Sequence, residues 1–139
     1  MSLHVLDSDI FSLYRRGHKN LDERIDSRPL DELAITVVTV EEEVAGWYSL
    51  LRQARTAADE VRAYDRLAKA IPTLARWQIL PMSHASLARY ETLKRMNLNV
   101  RKMDLRIAAI VLEAGATLVS RNLRDFRRVP NLVVEDWAS

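Results

Sequence analysis

Five oxygen-bearing side chains stand where predicted strands end, or where the helices beside those ends begin. They are Asp7, Glu42, Asp104, Asn122 and Asp125. In open α/β sheets the carboxyl ends of the strands meet at one edge, so residues far apart in sequence are expected to come together there. Carboxylates gathered without basic partners repel one another and lose hydration, which raises their pKa values. A divalent cation relieves that cost.

The types of these side chains indicate which cation would suit them. They offer only oxygen, which favours Mg²⁺ or Mn²⁺ over zinc. Such a metal can activate a water molecule and stabilise the charge that develops when a phosphodiester is cleaved. The alternative interpretations are structural. Asp104 can serve only as a helix N-cap, and Asp125 can simply pair with Arg121 or Arg128 at the surface.

Basic side chains surround the two later acids. Arg101, Lys102 and Arg106 bracket Asp104, and Arg121, Arg124, Arg127 and Arg128 bracket Asp125. An acidic centre ringed by bases suits a site that cuts a polyanion, because cations beside the metal can contact neighbouring phosphates. The alternative is that these arginines form a solvated rim.

The rest of the sequence predicts the elements that position these groups. Short apolar runs predict strands at 3–6, 34–38, 77–80, 117–120 and 132–134. Amphipathic segments between them predict helices. This alternation favours a three-layer α/β/α fold with a mainly parallel central sheet of four or five strands.

Several helix boundaries can also be predicted. Thr39 is expected to be an N-cap, with Glu42 three residues later in a capping-box spacing. That helix and a second one over 56–70 are expected to form a protruding helical hairpin. Ser83 is expected to cap a later helix, and Gly115 to end the helix that Asp104 begins. Trp47, Tyr48, Tyr64 and Trp77 are interpreted as core or dimer-surface residues rather than base-stacking platforms.

Composition narrows the class of protein further. A chain of 139 residues is expected to form a single domain over 1–139. It has no cysteine, which excludes disulfides and Cys-ligated metals, and its three glycines are too dispersed for a phosphate-binding glycine loop. The net charge of +2 is compatible with a nucleic-acid partner. Without a long apolar run or a leader, the chain is expected to be cytoplasmic and to have no membrane partner.

Five segments, in order along the chain, resemble the motifs of PIN domains. They are Leu6–Asp9 (LDSD, similar to the LDTN opening), Thr39–Glu42 (TVEE), Asp104–Ala109 (DLRIAA), Leu118–Phe126 (LVSRNLRDF) and Val133–Trp137 (VVEDW). The resemblance covers essentially the whole chain. The length and the Asp-Trp ending look most like the VapC-type toxins of prokaryotic toxin–antitoxin pairs.

That resemblance implies a Mg²⁺- or Mn²⁺-dependent endoribonuclease, a homodimer held inactive by an antitoxin protein. Asp7, Glu42 and Asp104 correspond to the three core metal-site acids, and Asp125 to a fourth. Asn122 competes with Asp125 for the position nearest the metal. Ser8 and Ser120 stand where the family often has threonine and are expected to support the site. Asp9 replaces the family's usual asparagine, which adds a charge.

Two other classes of function stay open from the sequence. The first is a PIN-like module that binds RNA or protein without catalysis. The second is a receiver-like phosphoacceptor domain, which also gathers aspartates around Mg²⁺ but requires a lysine at the end of a later strand, and no lysine follows Ser120. A nuclease of the same chemistry that acts on DNA is a further possibility, because nothing in the sequence recognises a 2′-hydroxyl.

Overall fold

A five-stranded parallel sheet forms the centre of the molecule, which we describe from a computed structural model covering residues 2–139. The strands are β1 (His4–Leu6), β2 (Leu33–Thr36), β3 (Gln78–Leu80), β4 (Thr117–Val119) and β5 (Val134–Glu135). Their order is β3-β2-β1-β4-β5, and every neighbouring pair is parallel. The chain leaves β1 towards β2 and later returns to its other side, so β1 marks the switch point where open α/β sheets bind ligands.

Seven α-helices accompany the sheet within the described residues. They are α1 (Ser8–Leu13), α2 (Lys19–Asp26), α3 (Val37–Gln53), α4 (Ala57–Ala75), α5 (His84–Arg95), α6 (Lys102–Glu113) and α7 (Leu123–Phe126). Successive strand residues point to opposite faces of the sheet. Val5 and Leu118 pack with α5 and α6, whereas Leu6 and Val119 pack with α1 and α2. The predicted three-layer α/β/α architecture is therefore confirmed.

The start of α3 differs from the prediction. Thr36, rather than Thr39, is the N-cap, and its hydroxyl accepts a hydrogen bond from the Thr39 N–H at 3.3 Å. Strand β2 ends at Thr36, opposite Leu80 of β3, so Val37 and Val38 enter the helix instead of the strand. The β-branched run favoured a longer strand, but the cap satisfies backbone donors that a continued strand would leave without partners.

Other boundaries agree closely with the sequence. Ser83 caps α5 through the Ser86 N–H. Gly115 comes directly after Ala114, the C-cap of α6, with a φ of +62°, a conformation that glycine adopts readily. Helix α4 extends beyond its predicted end and contains Pro72. The Thr73 hydroxyl donates to the Lys69 carbonyl there, at 3.0 Å, which supports the helix next to the proline.

Helices α3 and α4 pack against each other as the predicted hairpin. Trp47 and Trp77 are half-buried, and Trp77 lies edge-on to Phe11 with 5.5 Å between ring centroids. Tyr48 and Tyr64, by contrast, are exposed on the hairpin. No helix within residues 2–139 has the length and apolar character needed to cross a membrane.

Candidate functional site

Asp7 occupies the centre of the site, directly after the central strand. Its backbone N–H donates to the Val119 carbonyl of β4, which fixes its position between the two strands. Its side chain caps α1 by accepting the Ile10 N–H at 2.8 Å. The residue is only 5% exposed, so a carboxylate is held almost fully desolvated at the switch point of the sheet.

Burial is the main influence on this carboxylate. It raises the pKa of Asp7 from 3.8 to about 6, and the negative charges of Asp9 and Asp104 add to the rise. Hydrogen bonds from the Ser120 hydroxyl and the Ile10 N–H act in the opposite direction. Among residues 2–139 no basic side chain forms an ion pair with Asp7, so these neutral groups are its direct hydrogen-bond donors.

Asp104 is equally buried but is paired. It lies in the first turn of α6, where the helix dipole stabilises a negative charge. Arg101 binds it with two nitrogens, Nε to Oδ2 and Nη2 to Oδ1, each at 3.1 Å. The Asp104 side chain is 8% exposed and that of Arg101 is 69% exposed. Asp104 is not the N-cap, because that position belongs to Arg101.

Asp9 is held by a second arginine. Arg121 donates from Nε and Nη2 to the two Asp9 oxygens, at 2.8 and 3.0 Å. Both side chains are about half exposed. The additional charge at position 9 therefore lies at the site, and a base that follows β4 neutralises it.

Glu42 reaches the site through Ser8. The Ser8 hydroxyl donates to Glu42 Oε1 at 2.6 Å and lies 2.9 Å from the hydroxyl of buried Thr39. Because Ser8 has one hydroxyl proton and gives it to Glu42, Thr39 must be the donor to Ser8. The neighbouring Glu43 points elsewhere and accepts from Ser12 at 2.7 Å, because adjacent residues of a helix lie on different faces.

The segment after β4 supplies Ser120, Asn122 and Asp125. Ser120 is fully buried, and its hydroxyl accepts the Asn122 N–H at 2.9 Å. Asn122 caps the short helix α7, and its amide donates to Asp125 at 2.9 Å. Asp125 also pairs with Arg128 at 2.9 Å, which is the surface pairing that the sequence left open as an alternative.

These elements enclose one open cavity of about 350 Å³. Its lining consists of Asp7, Ser8, Asp9, Arg101, Asp104, Arg121, Asn122 and Phe126. Asn122 therefore lines the same cavity as Asp7 and Asp104, although both ends of its amide are hydrogen-bonded to Asp125. Asp125 lines a neighbouring cavity with Asn99, Val100, Arg101, Arg124 and Arg128. Glu42 is outside the lining and connects to it through Ser8. We call the first of these the acidic cavity and the second the Asp125 cavity.

The donors of the acidic cavity fit a hard divalent cation, because its acids and amide offer only oxygen. Asp7 in particular is a desolvated carboxylate that a cation would stabilise. As the side chains stand, however, no three acidic or histidine side chains of residues 2–139 are grouped closely enough to hold a metal ion. Asp104 is paired instead with Arg101, whose guanidinium binds both carboxylate oxygens.

The predicted substrate-contact bases differ in their surroundings. Arg101 and Arg121 are inside the acidic cavity and paired with its acids, and Arg128 is bound to Asp125 and to the Asn99 carbonyl. Lys102 and Arg124 are exposed, and no ion pair involves them within the described residues. Arg106 points away, with its guanidinium 4.5 Å from the centre of the Tyr90 ring.

Comparisons with known proteins agree with this fold. Residues 4–132 match the model of the PIN domain. The chain is 25% identical to Ribonuclease VapC1 of Haemophilus influenzae strain R2866 over 137 residues, which is 97% of this chain and 98% of that protein. It is 40% identical to Ribonuclease VapC2 of Rickettsia felis over 45 residues, 32% of this chain and 34% of that one.

Solved structures give the same result. A DNA-bound VapBC from Salmonella typhimurium has a TM-score of 0.76 at 23% identity, covering 99% of both chains. FitAB bound to a DNA fragment has a TM-score of 0.77 at 21% identity, covering 99% of this chain and 96% of the other. Because the PIN-domain match spans nearly the whole chain, the protein belongs to the PIN-domain family.

The strand order argues against the receiver-like alternative. The observed order, β3-β2-β1-β4-β5, differs from the 2-1-3-4-5 order of receiver domains.

Proposed function

We propose that this protein is a Mg²⁺- or Mn²⁺-dependent endoribonuclease, the toxin of a toxin–antitoxin pair. One observation carries the proposal: a buried, unpaired carboxylate, Asp7, at the switch point of a PIN fold, facing Asp104 across a single cavity. The end-to-end similarity to proteins named Ribonuclease VapC1 supports RNA as the substrate class. The occurrence of structural neighbours as VapBC complexes supports an antitoxin partner.

Each side chain has a defined task in this proposal. Asp7 and Asp104 hold the metal directly, with Asn122 as the adjoining oxygen donor in the acidic cavity. Ser8 orients Glu42 towards the same cavity, and buried Ser120 supports Asp7. Asp125 is proposed as the fourth acid, acting from the neighbouring cavity. When bound, the metal supplies an activated water and stabilises charge on the scissile phosphate.

The exposed bases are proposed to bind the rest of the RNA. Arg124 lines the Asp125 cavity and is not neutralised by an ion pair among the described residues. Lys102 is exposed at the start of α6, close to the acidic cavity. Contacts of this kind position a polyanion without selecting its sequence.

The proposal is tested by incubating the purified protein, freed of any antitoxin, with structured RNAs and Mg²⁺ or Mn²⁺. We expect the wild-type protein to cleave RNA, and EDTA to abolish this cleavage. The Asp7→Asn and Asp104→Asn variants should not cleave RNA. The control is Glu23→Gln, which also removes one carboxylate but at an exposed position on α2. Cleavage that survives EDTA, or that both site variants retain, would contradict the proposal.

A non-catalytic RNA- or protein-binding module is the second candidate. One observation favours it: within residues 2–139 no three acids stand ready to hold a metal, and Asp104 already has a cationic partner. The two candidates differ in metal binding. The binding module would be favoured if the protein bound no Mn²⁺ at millimolar concentration in a titration and also cleaved no RNA.

A homodimer is also part of the proposal. Large apolar side chains are exposed on the α3–α4 hairpin, namely Tyr48, Leu50, Val61, Tyr64 and Ile71. Exposed apolar groups of this kind are suited to an interface. Light scattering coupled to gel filtration should give twice the chain mass of 16.0 kDa, and a monomer at micromolar concentration would contradict this part.

A further inference from the structure

Arg101 places a fixed positive charge among the acids of the acidic cavity. Its guanidinium binds both oxygens of Asp104 with two nitrogens, a geometry that fits a carboxylate closely. Asp7 and Glu42 also lie near enough for their negative charges to act on it. One arginine therefore interacts with all three acids that are proposed to form the centre of the metal site.

The contact is one that a divalent cation would have to replace. Asp104 is almost fully buried, and among the described residues Arg101 is its one ion-pair partner. Both of its oxygens are taken by the guanidinium, so a metal ion that approached the cavity would meet a carboxylate with its preferred lone pairs already in use. It would also meet the charge of the arginine itself at short range.

The Arg101 side chain has space to move away from Asp104. This side chain is 69% exposed, and it lines both the acidic cavity and the Asp125 cavity. Because this exposed side chain borders both cavities, a change of rotamer is the simplest movement that would take its guanidinium away from Asp104.

We propose that Arg101 is a built-in competitor of the metal: it neutralises Asp104 in the metal-free protein and must swing away before a divalent cation can bind. The inference rests on the proposed function, since it concerns the same cavity and the same cation. It means that the metal-free site is stable, and that metal affinity is set by an exchange between two cations.

The test is a direct measurement of Mn²⁺ binding by calorimetry or electron paramagnetic resonance, without RNA, on the wild-type protein and three variants. Arg101→Gln is expected to bind Mn²⁺ about tenfold more tightly, because it removes one positive charge a few ångströms from the ion. Arg101→Lys keeps the charge and is expected to lie between the two. Arg89→Gln loses an exposed ion pair with Glu113, outside both cavities, and should change the affinity by less than about threefold.

The outcomes separate this inference from the proposed function. Unchanged or weaker Mn²⁺ binding by Arg101→Gln, with wild-type binding intact, would overturn the competitor role and leave the metal-dependent function standing. Equal affinities for Arg101→Lys and Arg101→Gln would also overturn it, because the charge would then not matter. Absence of Mn²⁺ binding in every variant would overturn both. Circular dichroism and thermal unfolding in EDTA establish that each variant is folded.

Discussion

The hydroxyl of Ser8 donates a 2.6 Å hydrogen bond to Glu42, which ties the start of α1 to the second turn of α3. Thr39 completes the chain by donating to Ser8 at 2.9 Å. A carboxylate on one element is thus oriented by a side chain from another, 34 residues earlier in the sequence. Hydrogen-bonded partners of this kind hold the side chains that bind a metal in a fixed orientation.

Ser8→Ala should therefore lower metal-dependent RNA cleavage by about 10–100-fold, the usual effect of losing such a supporting contact. The fold should remain, with a loss of about 1 kcal/mol in the free energy of unfolding. Ser12→Ala is the matched control, because it removes the equivalent 2.7 Å bond to Glu43, which points away from the site. Equal cleavage rates for the two variants would refute an orienting role for Ser8.

Asp7→Asn should stabilise the protein at neutral pH. Asp7 has a folded-state pKa of about 6 against 3.8 ordinarily, so the folded protein binds this proton more tightly than the unfolded chain. The ionised group then destabilises the fold above pH 6 by about 3 kcal/mol, and this penalty disappears as the pH falls through 6 to below 4. Urea unfolding at pH 8 and pH 4 measures the difference.

The control for that experiment is Asp9→Asn, which removes an exposed carboxylate paired with Arg121. It should not stabilise the protein at pH 8. If Asp7→Asn proved no more stable than the wild type at pH 8, the desolvation argument for Asp7 would be wrong.

Asp125→Asn should reduce cleavage less than Asp104→Asn does. Asp104 lines the acidic cavity with Asp7, whereas Asp125 lines the adjoining cavity and is bound by Arg128. We expect Asp104→Asn to abolish metal-dependent cleavage and Asp125→Asn to leave a measurable fraction. Rates under saturating Mn²⁺ compare the two, and the reverse order would show that Asp125 is the more important acid.

Arg124→Gln should weaken RNA binding and reduce its salt dependence. An exposed arginine without an ion pair releases counterions when it contacts a phosphate, so its loss should lower the slope of log affinity against log salt by about one. Arg106→Gln is the matched control, since Arg106 lies over the Tyr90 ring and away from both cavities. Identical slopes for wild type and Arg124→Gln would exclude Arg124 from the binding surface.

Hydrophobic patterning was sufficient to predict the order of elements and the edge where the acids meet. The runs that form β1 and β4 are short and, apart from half-buried Thr117, buried. The residues directly after them, Asp7 and Ser120, necessarily lie at the carboxyl edge. The position of Asp104 follows from the same reasoning, because α6 leads into β4 and must therefore begin at the carboxyl edge of the sheet. These inferences need only chain direction and sheet geometry.

The partners of the acids could not be predicted in the same way. Asp9 and Arg121 are 112 residues apart and meet only because β1 and β4 are neighbours. The spacing of Arg101 and Asp104 is compatible with a pair on one helical turn, but equally with an arginine that faces the substrate. Thr36 and Thr39 are both good caps, and the point where β2 stops pairing with β3 decides between them.

The position of β1 in the middle of the sheet has a consequence for the timing of synthesis. One wall of the acidic cavity follows β1, near the start of the chain, while Arg121 and Asn122 follow β4, near the end. A partly translated chain that lacks β4 has neither the second neighbour of β1 nor that wall. The proposed ribonuclease would be made in the immediate presence of ribosomal and messenger RNA, and this topology delays assembly of the cavity until β4 has been made.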